Sequence, residues 1–319
     1  MTPLPVRVAH ELDVQPHEHR WLIEDLWATE AVGIVGGEPK CCKSFLALDV
    51  AVAVASGAPC LRRFRPARTG RVLLFAAEDA LHVVRARLAG IARAAGVVFE
   101  TLDIQVITAP TVRLDLPADQ DRLRETVAIL RPTLLVLDPF VRLHRIDENA
   151  AAEVAPVLAY LRELERHFHT AVLLVHHARK GAAHARAGQA LRGSSELHAW
   201  GDSNLYLRRR GDTLCLAIEH RAAPSRDGIV VELRTQGEAL ALHVVDGEPS
   251  TARGPRPPTP TLGARIEHAL AEAATPLTRR ALRRVCRMRG STLGQVLARL
   301  LADGRVTRSP DGYHLVVPS

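Results

Sequence analysis

Lysine is almost absent from this chain. Of its 42 basic residues only Lys40, Lys43 and Lys180 are lysine, and the other 39 are arginine. Arginine stands wherever any cation serves, so a retained lysine marks a place where a compact ammonium and a planar guanidinium are not interchangeable. Two of the three lie within four residues of each other. No run reaches about 18 uninterrupted apolar residues, so no helical membrane span is expected. The first thirty residues hold His10, Glu11, Asp13 and His17-Glu18-His19-Arg20 in place of the apolar core of a signal segment. Five cysteines, odd in number and without metal-type pairing, argue against a disulfide framework and for a reducing cytoplasm. Adjacent Cys41 and Cys42 do not make a zinc knuckle.

What is present is ordinary for a globular protein: 47% hydrophobic and 24% charged residues over 319 positions, a length that suits one large domain plus a small one. The retained lysines sit in the stretch that organises the rest. The apolar run Ala31-Val32-Gly33-Ile34-Val35-Gly36 leads into Gly37-Glu38-Pro39-Lys40-Cys41-Cys42-Lys43-Ser44, and a long apolar segment from Phe45 to Ala55 ends at Ser56-Gly57. Strand, glycine-bearing loop, Lys-Ser and helix are the context of a phosphate-binding loop. In that reading Gly37 through Phe45 cradle a triphosphate with backbone N–H groups and a helix N-terminus. Lys43 reaches the β- and γ-phosphates, and Ser44 holds Mg²⁺. One position departs from the usual pattern: Cys42 stands where glycine precedes the lysine. A thiol there, at a helix N-terminus beside Lys43 and near Lys40, is expected to ionise more readily than a free one. A right-handed helical backbone would turn its side chain away from the phosphates, whereas a positive φ would add strain.

Downstream, two apolar strands end in acids. Val72 to Ala77 runs into Glu78-Asp79, and Ala80 to Ala95 reads as a helix. Thr133 to Leu137 runs into Asp138-Pro139. Carboxylates at the C-terminal ends of buried parallel strands stand where such sheets place ligand chemistry. Glu78 is the candidate base for the water that attacks the γ-phosphate, and Asp138 the candidate that holds Mg²⁺ through water. Asp79 is read as a helix cap or support for the metal. Strand Ile104 to Thr108 and helix Leu123 to Leu130 lie between them. Phe140 to Asn149 reads as a polar, mobile loop.

Helix Ala150 to His167 precedes strand Thr170 to Val175, which ends in His176-His177. A histidine at that edge can report the γ-phosphate; chelation of one metal by both is disfavoured, because neighbouring side chains leave a strand in opposite directions. Gly181 to Ser195 reads as a loop facing a channel or partner. Strands follow at Ser203–Leu207, Thr213–Ile218, Ile229–Leu233 and Leu240–Val245, with Arg208-Arg209-Arg210 as a turn. That turn is either a solvated hairpin tip or an arginine finger for a neighbouring subunit. Trp21 and Trp27 are read as core packing, with stacking on adenine the alternative.

Gly37 to Ser44, Ala77-Glu78-Asp79, Leu137-Asp138, Asp147-Glu148-Asn149 and His176-His177 with Lys180 occur in the order and spacing of RecA-like ATPases. Over residues 20–245 the chain most resembles the RepA type of plasmid replicative helicase and related bacterial AAA-type ATPases. The resemblance implies an α/β fold, a RecA-like mostly parallel sheet flanked by helices. It also implies ATP and Mg²⁺ as cofactors, catalytic roles for Lys43, Glu78 and His177, and Mg²⁺ at Ser44 and Asp138. Such proteins form homo-oligomeric rings, hexamers by expectation, completed by an arginine of the next subunit. Arg209 and Arg221 are the candidates.

The ATPase domain with its lead-in is expected to span 1–250. Residues 251–263, with Pro255, Pro257, Pro258 and Pro260, read as a semi-rigid linker. Residues 264–319 resemble a winged helix: Ala264–Ala274, a helix capped by Thr278 and running to Cys286, Ser291–Asp303, then a hairpin across Ser309-Pro310-Asp311-Gly312. Thr251 to Ser319 holds 12 Arg against four acids, a net of +8, while the first 250 residues carry 30 basic and 31 acidic residues. All excess positive charge lies in the last fifth of the chain, which points to DNA as a partner, single- or double-stranded, through that domain and the ring loops. Two functions follow: a DNA helicase or translocase driven by ATP hydrolysis, or a nucleotide-switched DNA-binding regulator with little turnover.

Overall fold

A computed structural model describes residues 4, 6–11, 20–177, 195–237, 239–245, 262–273, 275–286 and 290–316. The chain divides into two compact units, Met1–Pro249 and Ser250–Ser319.

The first unit is built on a nine-stranded sheet. Its strands are β3 (Val32–Gly37), β4 (Val72–Ala76), β5 (Ile104–Val106), β6 (Leu134–Asp138), β7 (Ala171–His177), β8 (Ser203–Arg210), β9 (Thr213–His220), β10 (Arg226–Gln236) and β11 (Ala239–Val244). They lie in the order β11-β10-β9-β8-β3-β7-β6-β4-β5. From β8 to β5 all neighbours are parallel; β8 to β11 form an antiparallel meander on the other side. A two-stranded ribbon, β1 (Trp21–Ile23) and β2 (Trp27–Ala28), precedes the sheet.

Alternation along the central strands feeds two apolar layers, as period-2 side-chain geometry requires. Val35, Val72, Leu74, Val136, Leu173 and Val175 face α1 (Lys43–Ser56) and α2 (Leu81–Ala94). Ile34, Leu73, Phe75, Leu137, Val172 and Leu174 face α3 (Pro117–Leu130) and α4 (Ala151–Phe168). A short helix, α5 (Ser195–Trp200), leads into β8. Strands buried on both faces carry the continuous apolar runs seen in the sequence. Helix α1 is buried along most of its length and stops at Gly57, whose φ of 82° lets its N–H reach the Ala53 carbonyl.

Several expectations need correction. Helix α3 begins at Pro117, six residues before the apolar spacing suggests, because proline suits a first-turn position whose N–H has no helical partner. Arg208, Arg209 and Arg210 are not a turn. They continue β8 in register with Cys215, Leu214 and Thr213, and Gly211 at φ 62° makes the reversal. The loop after β6 is not free at its start: Phe140, Leu143 and His144 are buried. Trp27 is fully buried in the core. Trp21 lies edge-on to His220, at the end of β9 that pairs with the start of β8.

The second unit holds α6 (Leu262–Ala271), α7 (Arg279–Val285), α8 (Gly290–Ala302) and the hairpin β12 (Val306–Ser309) with β13 (Gly312–Leu315). Helix α7 is capped by Thr278, whose side chain accepts from the Ala281 N–H at 3.2 Å. Ile266, Leu270, Leu282, Cys286, Leu293, Leu297, Leu300 and Val306 form its core. On α8 Leu293, Leu297 and Leu300 point inward, whereas Leu301 is exposed. Of residues 251–263, all but Leu262 and Gly263, which open α6, lie outside the described residues.

Candidate nucleotide site

β3, β7, β6 and β4 are neighbours running in one direction, so their C-terminal ends meet along one edge of the sheet. That edge collects the loop after β3, His177 from β7, Asp138 from β6 and Glu78 just beyond β4. They surround a cavity of about 320 Å³ lined by Lys40 through Phe45, Ala76, Glu78, Asp79, Arg87, Asp138, Val175 and His177. Gly37, Glu38 and Pro39 lead into this lining. Gly37 is required by close approach, since a Cβ there would lie 2.3 Å from the Leu207 carbonyl oxygen.

Lys43 opens α1 and is buried, and its Nζ donates to the Glu38 carbonyl at 2.8 Å. Burial lowers its pKa against the pull of the Cys41 thiol and of the Asp138 and Glu78 carboxylates. The Ser44 hydroxyl hydrogen-bonds the Asp138 carboxylate. Asp138 is buried, which pushes its pKa up to about 6; the Ser44 hydrogen bond opposes this, Asp79 and Glu78 add to it, and Lys43 counters. His177 is held below the usual imidazole range by burial and by Lys43, and its buried Nδ1 has no hydrogen-bond partner among the described residues. The pairing of a serine hydroxyl with a carboxylate fits a hard divalent cation that keeps waters and phosphate oxygens as its other ligands. Among the described residues no cluster of three or more His, Cys, Asp or Glu could hold a metal by itself.

Residues 2–183 match the AAA_25 family, described as an AAA domain. The chain belongs to that family. The described strands and helices also resemble two solved structures. A DnaB-like replicative helicase, solved for its interactions with primase, aligns at 14% identity over 67% of this chain and 57% of its own, with a TM-score of 0.50. The RadB recombinase aligns at 18% identity over 68% of this chain and 92% of its own, with a TM-score of 0.48. The mostly parallel sheet flanked by helices is thus an architecture shared with the DnaB-like structure.

Cys42 answers one open question and overturns one expectation. Its backbone is left-handed, at φ 59° and ψ 27°, as is that of Lys40 at φ 64°. Its thiol is pushed up rather than down, because burial outweighs the nearby charges of Arg209 and Lys43. Asp79 is not a cap either: Ala80 holds that position without a side-chain bond, and Asp79 is ion-paired with Arg87. Arg87 also lies over the Phe45 ring, 5.2 Å from its centroid. Arg209 lies beside the loop of its own AAA domain, where its backbone amide hydrogen-bonds the Cys41 thiol.

Arg221 is far from this edge. It bonds the Asp202 carboxylate at 3.1 Å and the Ala199 carbonyl at 2.6 Å, by the start of β8. Lys180 falls outside the described residues. The sequence reading missed Arg87 and Arg142. Arg142 Nε donates to Glu78 Oε1 at 2.9 Å. An Arg seven residues into a predicted helix that starts beside an acid was a usable signal for Arg87. Nothing local marked Arg142, whose partner is 64 positions away.

Proposed function

We propose that this protein is an ATP-hydrolysing motor that acts on DNA, of the RepA-like helicase or translocase kind. The observation that carries the reading is the meeting of Lys43, the Ser44–Asp138 hydrogen bond and Glu78 in one cavity at the C-terminal edge of a parallel sheet. The loop from Gly37 to Phe45 and Lys43 take the phosphates, with Lys43 exchanging the Glu38 carbonyl for phosphate oxygens. Ser44 and Asp138 hold Mg²⁺, which neutralises charge on the phosphates when bound. Glu78 orients and deprotonates water. His177, neutral and with an unpartnered nitrogen, reads the γ-phosphate.

The residues from 264 on act as a winged helix on DNA, in keeping with their local charge and with three helices followed by a hairpin. The chain works as a ring, hexameric by analogy, and Arg209 or Arg221 completes the site of the next subunit. One of the two aligned structures is a replicative helicase, in keeping with this assignment.

The decisive experiment is ATPase rate with and without single- and double-stranded DNA, alongside native mass in ATP. DNA-stimulated turnover with strand separation supports the motor. Cys42 at a left-handed position beside Lys43 favours a second reading, a nucleotide-switched DNA-binding regulator; ATP-dependent assembly without turnover would select it. Removal of residues 251–319 is expected to weaken DNA binding and flatten its salt dependence, because fewer phosphate contacts release fewer counterions. An unchanged salt slope would move the contact to the ring. Mixing Lys43→Ala with Arg209→Ala protein is expected to restore part of the lost activity, and a monomer hydrolysing ATP fully would end the shared-site idea.

A further inference from the structure

The carboxylate assigned as base in the proposed function is one of the more exposed groups at the cavity, and a side chain with three rotatable bonds does not hold a water in line unaided. Glu78 is 43% exposed, yet one of its oxygens is held: Oε1 accepts from Arg142 Nε at 2.9 Å. Among the described residues Oε2 has no hydrogen-bonding partner.

The backbone that carries Arg142 is clamped on both sides. Phe140 and Leu143 are fully buried. The Phe140 ring packs against His144 at 4.2 Å and His176 at 5.8 Å between centroids. The Leu143 carbonyl accepts from Leu114 N–H at 2.6 Å, and the His144 carbonyl accepts from Arg113 at 2.7 Å. The Arg142 N–H itself donates to the Pro139 carbonyl at 3.1 Å, one residue beyond Asp138. Arg142 therefore projects from a short, packed turn that joins the strand of Asp138 to the side of β7. Its neighbour Arg145 is also exposed.

We infer that Arg142 is a positioning residue for Glu78. It fixes Oε1 and so presents Oε2 toward the cavity as the oxygen that accepts the water's proton. The proton moves from the attacking water to Oε2 as the new P–O bond forms and the bond to the diphosphate leaving group breaks. Arg142 itself touches neither water nor phosphate. This is the arrangement in which a base is oriented by a third group. The inference rests on Glu78 acting as the base.

The bland alternative is a solvated surface ion pair, which contributes little. A double-mutant cycle separates the two. Arg142→Ala is expected to lower kcat by about 10²-fold, the scale of a slightly misplaced reacting group, with KM for ATP within about twofold of wild type. Arg142→Lys should recover part of that loss, since a cation can still hold Oε1. In a Glu78→Gln background Arg142→Ala should cost nothing more. Arg145→Ala is the control from the same loop, and thermal unfolding of each variant shows whether a loss of rate is a loss of fold. If Glu78→Gln loses its rate and Arg142→Ala keeps wild-type kcat, or if the two losses multiply, Arg142 is a surface partner only. If Glu78→Gln turns over normally, the assignment of the base itself fails, whatever Arg142 does.

Discussion

At the start of β3 and β8 the polar side chains are tied to one another. Asp202 pairs with Arg162 and Arg221 and accepts from the Val32 N–H at 3.3 Å. Asn204 accepts from the Ile34 N–H at 3.0 Å, and Ser203 links the Ala28 N–H to His220. Gly33 permits this tight join, since a Cβ there would lie 1.7 Å from the Ser203 carbonyl oxygen. About 20 Å away, across the six residues of β3, the other edge is built from the same residue types in a different state. Asp138 is buried with its pKa raised to about 6, the His177 Nδ1 has no partner among the described residues, and Lys40 and Cys42 sit at positive φ. One edge closes its polar groups and the other holds several of them open, while left-handed backbone occurs at both, at Lys40 and Cys42 here and at Asp25, Glu30 and His169 there. Incomplete pairing of buried polar groups persists where surrounding structure imposes it, which is characteristic of sites that bind. The contrast sorts arginines that sequence alone left equal: Arg221 belongs to the closed edge and Arg209 lies by the open one.

The largest effects that test the contrast are on activity at the open edge. Lys43→Ala is expected to remove triphosphate binding, and Glu78→Gln to bind nucleotide while losing about 10²–10⁴-fold in turnover. Both variants should unfold at wild-type temperature without nucleotide, because neither residue is tied into the fold as Asp202 is. Nucleotide titration, steady-state ATPase and thermal unfolding measure all three. A drop in unfolding temperature with activity retained would reverse the assignment of the two edges.

The next effect falls on stability at the closed edge. Asp202→Ala leaves Arg162 with the Trp200 carbonyl and a 3.6 Å approach to Glu165, and leaves the Val32 N–H without its carboxylate. Removing one partner of a buried ion pair costs about 3–5 kcal/mol, and the partial exposure of Asp202 brings the expected loss to about 2 kcal/mol. Urea unfolding reads the loss, and ATPase per folded molecule should stay unchanged. A large loss of turnover at full stability would bring Arg221 and its partner into the catalytic cycle.

The parts of this molecule that were legible in sequence are those with a local cause. Apolar strands ending in Glu78 and Asp138, the Lys-Ser pair before α1 and the histidines closing β7 each combine a burial pattern with a chemistry-bearing residue at its end. Register and long-range pairing were not legible. Arg208 to Arg210 look like a turn because three charges interrupt an apolar run, but they lie where β8 pairs with β9, and Arg208 reaches Asp227. Asp79 looks like a cap because it precedes a helix, but Arg87, eight residues on, claims its carboxylate. The partner of Glu78 comes from another strand's loop. In each case a contact distant in sequence or about two turns along a helix overrode a sound local preference.

The smallest expected effect concerns Cys42, where the open edge carries its strain. A left-handed backbone at a residue with a Cβ costs roughly 1–2 kcal/mol. Glycine there removes that cost but gives back part of it through greater freedom of the unfolded chain, about 0.5–1 kcal/mol. Cys42→Gly is therefore expected to stabilise the first unit by at most about 1 kcal/mol, with nucleotide binding kept. The thiol gives a second reading of the same position. Helix N-terminus, Lys43 and Arg209 all favour a thiolate, yet burial dominates and pushes the pKa up, so alkylation near neutral pH should be slower than for a free thiol. Because Cys42 lines the cavity, MgATP should slow it further, and a label that does attach should block nucleotide binding. Cys42→Gly protein, still holding four buried cysteines, supplies the background rate. Rapid labelling of Cys42, or labelling that MgATP does not slow, would show that the thiol faces away from the phosphates and that the left-handed turn is a packing feature of the loop alone.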